Sequence, residues 1–257
     1  MDRRRFITSS MLGAPLAHTV AFGSGSSMVP QYFELRRYHL LNNSKQNALH
    51  EFLGEVAVPA YNRLGIEPVG GFSVAYGPNR PSVYVLLPHP SLESVETLRR
   101  RLAADDEYVR AGASFLERSM ADPGYVRYES SLLKAFDGME RIETPVGTDG
   151  RLFELRFYES PTDEAALRKI EMFNNGEISI FREVGLHPVF FGESLIGDQL
   201  PNLTYMLAFE NMAERDAAWD RFRAHPDWAE LSANPYYAET VSAISDFILR
   251  PTVYSQI

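Results

Sequence analysis

Tyr32-Phe33-Glu34-Leu35-Arg36-Arg37-Tyr38 and Leu152-Phe153-Glu154-Leu155-Arg156-Phe157-Tyr158 agree at five of seven positions across an offset of 120 residues. A constant shift between two strand-like segments signals an internal duplication, and the rest of the chain is best read in that frame. The same offset returns downstream, where Arg101, Leu102, Ala104, Glu107 and Tyr108 correspond to Arg221, Phe222, Ala224, Asp227 and Trp228. Two separate matches at one spacing predict two copies of one structural unit.

In the first copy, residues 44–64 carry Ala48, Leu49, Phe52, Leu53, Val56, Ala57, Ala60 and Tyr61 on a helical stripe that stops at Gly65. Pro59 falls inside this pattern and is expected to kink the helix or end its regular part early. Strand-like runs at 71–76 and 82–87 flank the turn residues Gly77, Pro78, Asn79, Arg80 and Pro81, which predicts a hairpin. A second helix over 92–103 and a strand over about 126–135 complete the unit.

The second copy repeats the order. A strand at 153–158 is followed by Ser160-Pro161-Thr162-Asp163, read as an N-cap with proline at the first helical position, and by a helix running to Val184 before Gly185. Strands at 189–193 and 203–209, a helix at 213–224 and a strand at 243–250 follow. The order β-α-β-β-α-β in each half is that of a ferredoxin-like unit. The expected fold class is therefore α+β with two tandem ferredoxin-like repeats, at 31–136 and 151–257. Residues 137–150, with Gly138, Pro145, Gly147 and Gly150, form the linker.

Residues 1–30 read differently. An arginine pair ahead of Phe6-Ile7 precedes a mildly apolar run over 11–22, with Thr19 and Ala21 at plausible cleavage offsets, and Ser24, Gly25, Ser26 and Ser27 make a flexible lead. This resembles a bacterial twin-arginine export signal, too short to cross a bilayer permanently, and it predicts a periplasmic or extracellular protein without stable membrane insertion. The formal net charge is -9, and removal of three arginines and one aspartate through Ala21 would take it to -11, the wrong sign for nucleic acid. The chain has no cysteine, so disulfides, thiolate nucleophiles and cysteine-bound metals are excluded.

Three features carry a family likeness: the paired Phe-Glu-Leu-Arg-x-Tyr strands, His225-Pro226-Asp227-Trp228 after the last helix, and the closing Leu249-Arg250-Pro251. Over residues 31–257 the chain resembles NIPSNAP-domain proteins, and it departs from them at Asp105-Asp106-Glu107-Tyr108, which lacks the His-Pro-Asp-Trp form. The resemblance implies two domains of the dimeric α/β-barrel type, whose sheets pack face to face into a pseudo-dimeric barrel. It brings no catalytic residue set with it. Fold-level analogy adds that related barrels host cofactor-free oxygenases, isomerases and haem enzymes.

Alternation in the duplicated strand places Phe33 and Leu35 on one face and Glu34, Arg36 and Tyr38 on the other. The expectation is that Phe33 and Leu35 pack under the helices while Glu34, Arg36, Glu154 and Arg156 turn into a shared barrel interior. There the two glutamates are the candidate catalytic groups, each a desolvated general base beside an arginine that holds an acidic or carbonyl-bearing molecule. The alternative is that each Glu and Arg form a mutually satisfied ion pair that fixes sheet register. Tyr38, Tyr158, His39 and His187 are further candidate binding residues at strand ends.

Histidines are scattered without metal-ligand spacing, so no metal site and no cofactor is expected. His50, beside the apolar stripe of the first helix, supplies the alternative of an axial haem ligand. No Gly-x-Ser-x-Gly, Gly-x-Gly-x-x-Gly or Walker loop occurs. The functional expectation is a barrel that binds a small molecule or a protein partner, with self-association open. The alternatives are an oxygenase- or isomerase-like enzyme and a haem or metal carrier.

Overall fold

The computed structural model describes residues 29–78, 80–145 and 151–257. The expected export signal, nearly all of the flexible lead and the last part of the linker lie outside the described residues.

Each half runs strand, two helices, two strands, two helices, strand. The first contains β1 (Tyr32–His39), α1 (Asn43–Phe52), α2 (Val58–Arg63), β2 (Gly70–Tyr76), β3 (Ser82–His89), α3 (Leu92–Ala103), α4 (Asp106–Leu116) and β4 (Arg127–Ala135). The second contains β5 (Leu152–Glu159), α5 (Asp163–Met172), α6 (Ile178–Glu183), β6 (His187–Ile196), β7 (Asn202–Phe209), α7 (Met212–Arg223), α8 (Pro226–Ala233) and β8 (Ala243–Pro251).

The eight strands close one antiparallel barrel in the order β1-β3-β2-β8-β5-β7-β6-β4. Pairing of β2 with β8 and of β4 with β6 joins the halves by hydrogen bonds, so every strand has a neighbour on both sides. The duplication persists in the register: Arg36 stands opposite Val85, and Arg156 opposite Tyr205. Among the described residues no helix is long and apolar enough to cross a membrane.

Three apolar clusters organise the packing. One fills the barrel, with Phe33, Phe72, Phe153 and Phe190 fully buried at its centre. The other two lie outside the barrel wall, one under the helices of each half. Side chains at Phe33 and Leu35 therefore point into the barrel, and Tyr38 points out toward α1 and α2. This reverses the expected assignment of the two strand faces. Both faces of each strand are covered, so alternation separates them without saying which is inner, and the bulk of the phenylalanines decides in favour of the barrel.

The first helix ends its regular α geometry at Phe52, and a π-helical turn over Leu53–Ala57 leads into α2 with Pro59 in its first turn. The second half repeats this turn at Phe173–Glu177 without a proline, with Gly176 outside helical geometry (φ 174°, ψ -42°). Proline alone is thus not its cause. Thr162, not Ser160, caps α5 through a bond from the Ala165 amide, so Pro161 precedes the cap instead of opening the helix. The helices α4 and α8 were not foreseen. Asp105 and His225, at matching places in the two halves, accept their first free amides. Residues 137–145 are bonded to the barrel, with Met139 buried and the Glu143 amide donating to Val189.

Candidate functional site

Glu34 and Arg36 lie on the outer face of β1, between the sheet and the helices. Arg36 donates through Nε and Nη2 to the two carboxylate oxygens of Glu34 at 2.7 and 2.8 Å, and through Nη1 to the Tyr61 hydroxyl at 3.0 Å. Ser130 adds a bond to Glu34 at 2.7 Å, and His89 Nε2 stands 3.6 Å from its other oxygen. Burial would raise the Glu34 carboxyl, but His89, the Arg36 charge and the hydrogen bonds outweigh it and hold the group at about 2. The Arg36 guanidinium also lies over the Tyr61 and Tyr128 rings.

The second copy builds the same theme with other partners. Glu154 is fully buried and accepts from Arg156 at 2.6 Å, from Arg215 of α7 at 2.6 and 3.0 Å, and from the Trp219 indole at 2.8 Å. Burial again opposes ionisation, and Arg215, Arg156 and Trp219 together keep the carboxyl below its usual range. Because β1 and β5 are four places apart either way around an eight-stranded ring, the two Glu/Arg pairs project from opposite sides of the barrel. They do not line one cavity, and each has the ionic partners that a buried charge requires.

Tyr38 belongs to the apolar layer under α1 and α2, edge-on to Tyr125 and tilted against Tyr128, and burial pushes its hydroxyl well above the ordinary value. Tyr158 accepts from the Tyr205 hydroxyl at 2.9 Å in the equivalent layer of the second half. His187 is exposed at the start of β6. Of the expected binding residues only His39 touches residues of the barrel mouth, without lining the cavity itself. Its Nε2 accepts from Arg37 at 3.2 Å and lies 3.0 Å from Glu129.

That mouth is the cavity that sequence reasoning missed. It has a volume of about 430 Å³ and is lined by Arg37, Tyr84, Glu129, Phe157, Thr204 and Phe247, among others, within the range of small-molecule pockets. Tyr84 and Phe247, with ring centroids 5.7 Å apart, and Phe157, 5.9 Å from Phe247, separate it from the phenylalanine-filled centre. Arg37 binds Glu129 through Nη2, and this pair with His39 draws the Glu129 carboxyl below its usual range against the opposing effect of burial. The Tyr84 hydroxyl is buried without a hydrogen-bond partner of normal geometry. Burial raises it, and the Arg37 charge pulls the other way. At the rim Gln199 adopts a left-handed φ of 59°.

Register explains how the wall forms. Arg37 of β1 faces Tyr84 of β3 on one side and Glu129 of β4 on the other, a row across three strands. The matching row of the second half is Phe157, Thr204 and Ser245. The duplication therefore breaks at the mouth: one wall is ionic and phenolic, the other apolar and hydroxylic. Comparison of position 37 with position 157 was the signal in the sequence.

Among the described residues no group of His, Asp and Glu is arranged to hold a metal ion. The model of the NIPSNAP family matches residues 33–133 and 153–256. No curated protein sequence matches the chain. Among solved structures, a candidate monooxygenase from Fusobacterium nucleatum aligns with 87% of this chain and 93% of its own, at 7% identity and a TM-score of 0.57. A candidate monooxygenase from Lactobacillus acidophilus aligns with 86% of this chain and 94% of its own, at 13% identity and a TM-score of 0.55. A NIPSNAP-like domain protein from Burkholderia xenovorans aligns with 43% of this chain and 92% of its own, at 21% identity and a TM-score of 0.38.

Proposed function

The chain belongs to the NIPSNAP family, and we propose that it is a binding barrel whose mouth takes one small, largely apolar molecule bearing a carbonyl or carboxylate group. The observation that carries this reading is the divergence of the two copies at the mouth, where Arg37, Tyr84 and Glu129 face Phe157, Thr204 and Ser245. Glu34 and Glu154, by contrast, stand at equivalent positions in both copies. A charged wall present once answers to a ligand. The acceptor oxygen of the ligand lies toward Arg37 and its apolar body against Phe157 and Phe247.

The element order and the matched registers support two ferredoxin-like repeats that together close one barrel. The arginine pair at Arg4-Arg5 ahead of Phe6 supports export of the folded chain.

Calorimetric titration with aryl ketones, aryl carboxylates and the parent hydrocarbons tests the reading. The oxygenated compounds bind, and Arg37→Gln weakens them about tenfold, or about 1.4 kcal/mol, while leaving hydrocarbon binding unchanged. Equal affinity for all three classes overturns it.

A second reading is catalytic. The fold likeness to two candidate monooxygenases and the buried Tyr84 hydroxyl beside Arg37 in the cavity wall favour it. Oxygen uptake with a phenolic substrate that is lost in Tyr84→Phe separates catalysis from binding alone.

A further inference from the structure

Away from the barrel mouth, on the outer face of the sheet, α1 and β2 border a groove of about 850 Å³. Ser73 and His50 line it, and they open a hydrogen-bonded chain of three side chains that ends on Tyr254 behind the groove. Ser73 Oγ lies 3.1 Å from His50 Nε2, and His50 Nδ1 lies 2.9 Å from the Tyr254 hydroxyl. Gln46 Nε2 reaches the same serine oxygen at 3.4 Å. Arg250, the register partner of Ser73 on β8, and Arg80 stand at the sides of the groove.

Tyr254 is built into this position. A Cβ on Gly71 would lie 2.3 Å from its ring and one on Gly54 3.1 Å, so only residues without side chains leave the slot open. The segment that carries it is tied to β2 and the residue before it by bonds from the Thr252 amide to Gly71 and from the Gln256 amide to Val69, both at 2.9 Å. The second copy has nothing comparable: the positions equivalent to His50 and Ser73 are Ile170 and Glu193. The other half folds without this chain of bonds.

We propose that Ser73, His50 and Tyr254 form a hydrolytic site for esters that carry a carboxylate, with Ser73 as nucleophile and His50 as general base. When Nδ1–H donates to the Tyr254 oxygen, the Nε2 lone pair is free to accept the Ser73 hydroxyl proton. The Ser73 oxygen then bonds to the ester carbonyl carbon as its proton passes to Nε2. The carbon–oxygen bond to the alcohol breaks, and the alcohol leaves with that proton. Water attacks the acyl-serine, gives a proton to His50 and releases the carboxylic acid as the proton returns to Ser73. Net, one ester and one water become one acid and one alcohol. Arg250 and Arg80 attract the substrate carboxylate. Burial lowers the His50 imidazole below its ordinary 6.5, so it is the neutral, proton-accepting form at neutral pH. Tyr254 is a positioning residue, because burial keeps its phenol protonated and it orients the imidazole without taking up charge.

The test uses the purified full chain. A fluorophosphonate probe followed by peptide mass spectrometry places the adduct on Ser73, and p-nitrophenyl succinate is hydrolysed faster than p-nitrophenyl acetate. Ser73→Ala and His50→Gln each lower the rate about 100-fold or more. Arg250→Ala removes the preference for the succinate ester, and Tyr254→Phe lowers kcat with KM unchanged. The adduct is read on the unsubstituted protein, so misfolding of a variant does not decide the matter. Absence of a Ser73 adduct from folded protein at excess probe, or parental hydrolysis by Ser73→Ala, overturns the proposal.

Discussion

At the scale of single residues, the duplicated glutamates are alike in ionisation and unlike in support. Glu34 takes its partners from three strands, Arg36 of β1, Ser130 of β4 and His89 of β3, whereas Glu154 takes two of its three from α7. Removal of the Glu154 carboxylate in Glu154→Ala strands Arg156 against Trp219, and urea unfolding is expected to show a loss of about 3 kcal/mol. For Glu34 the sign is set by a folded value of about 2 against an ordinary 4.5. Its stabilisation is complete above the ordinary value and disappears as pH falls toward 2, an effect of about 3 kcal/mol. Acid titration of stability should therefore flatten over this window in Glu34→Gln. The strand motif made these residues legible as pairs, but not their direction. With apolar layers on both sides of the wall, only the volume available inside the barrel distinguishes inner from outer.

Elements were legible where a periodic stripe was long and flanked by turn residues, as with α3, whose limits match its reading from the sequence. The helices α4 and α8 were missed because only two residues separate each from the preceding helix. Their caps, Asp105 and His225, were the available signs. Capping chemistry also shifted the start of α5. Thr162 accepts the Ala165 amide at 3.1 Å, and Thr162→Ala is expected to lower stability by about 1 kcal/mol in thermal unfolding. Ser160→Ala should leave α5 capped, which distinguishes the two possible caps. The mouth was illegible for a different reason. Arg37, Tyr84 and Glu129 are 47 and 45 residues apart in sequence, and only strand register brings them into one row.

Across the whole molecule, closure of the barrel depends on contacts between halves. The β2·β8 and β4·β6 pairings and the central cluster of Phe33, Phe72, Phe153 and Phe190 belong to neither half alone. Phe33 meets Phe190 and Phe72 meets Phe153 at 5.1 and 4.9 Å between ring centroids, each pair spanning the duplication. Unfolding should be a single transition with coincident fluorescence and circular dichroism curves. A fragment of residues 29–145 exposes two unpaired strands and an apolar sheet face, so sedimentation should find it self-associated and not monomeric.

The break in symmetry at the mouth has a consequence for stoichiometry. A barrel made from two identical chains would present each wall twice, and a ligand would meet two equivalent poses related by the two-fold axis. With Arg37 on one wall and Phe157 on the other, the residues that line this mouth offer a single cationic anchor. Its binding isotherm should saturate at one molecule per chain, and a ligand with distinct ends, or distinct mirror-image forms, would be held in one orientation only.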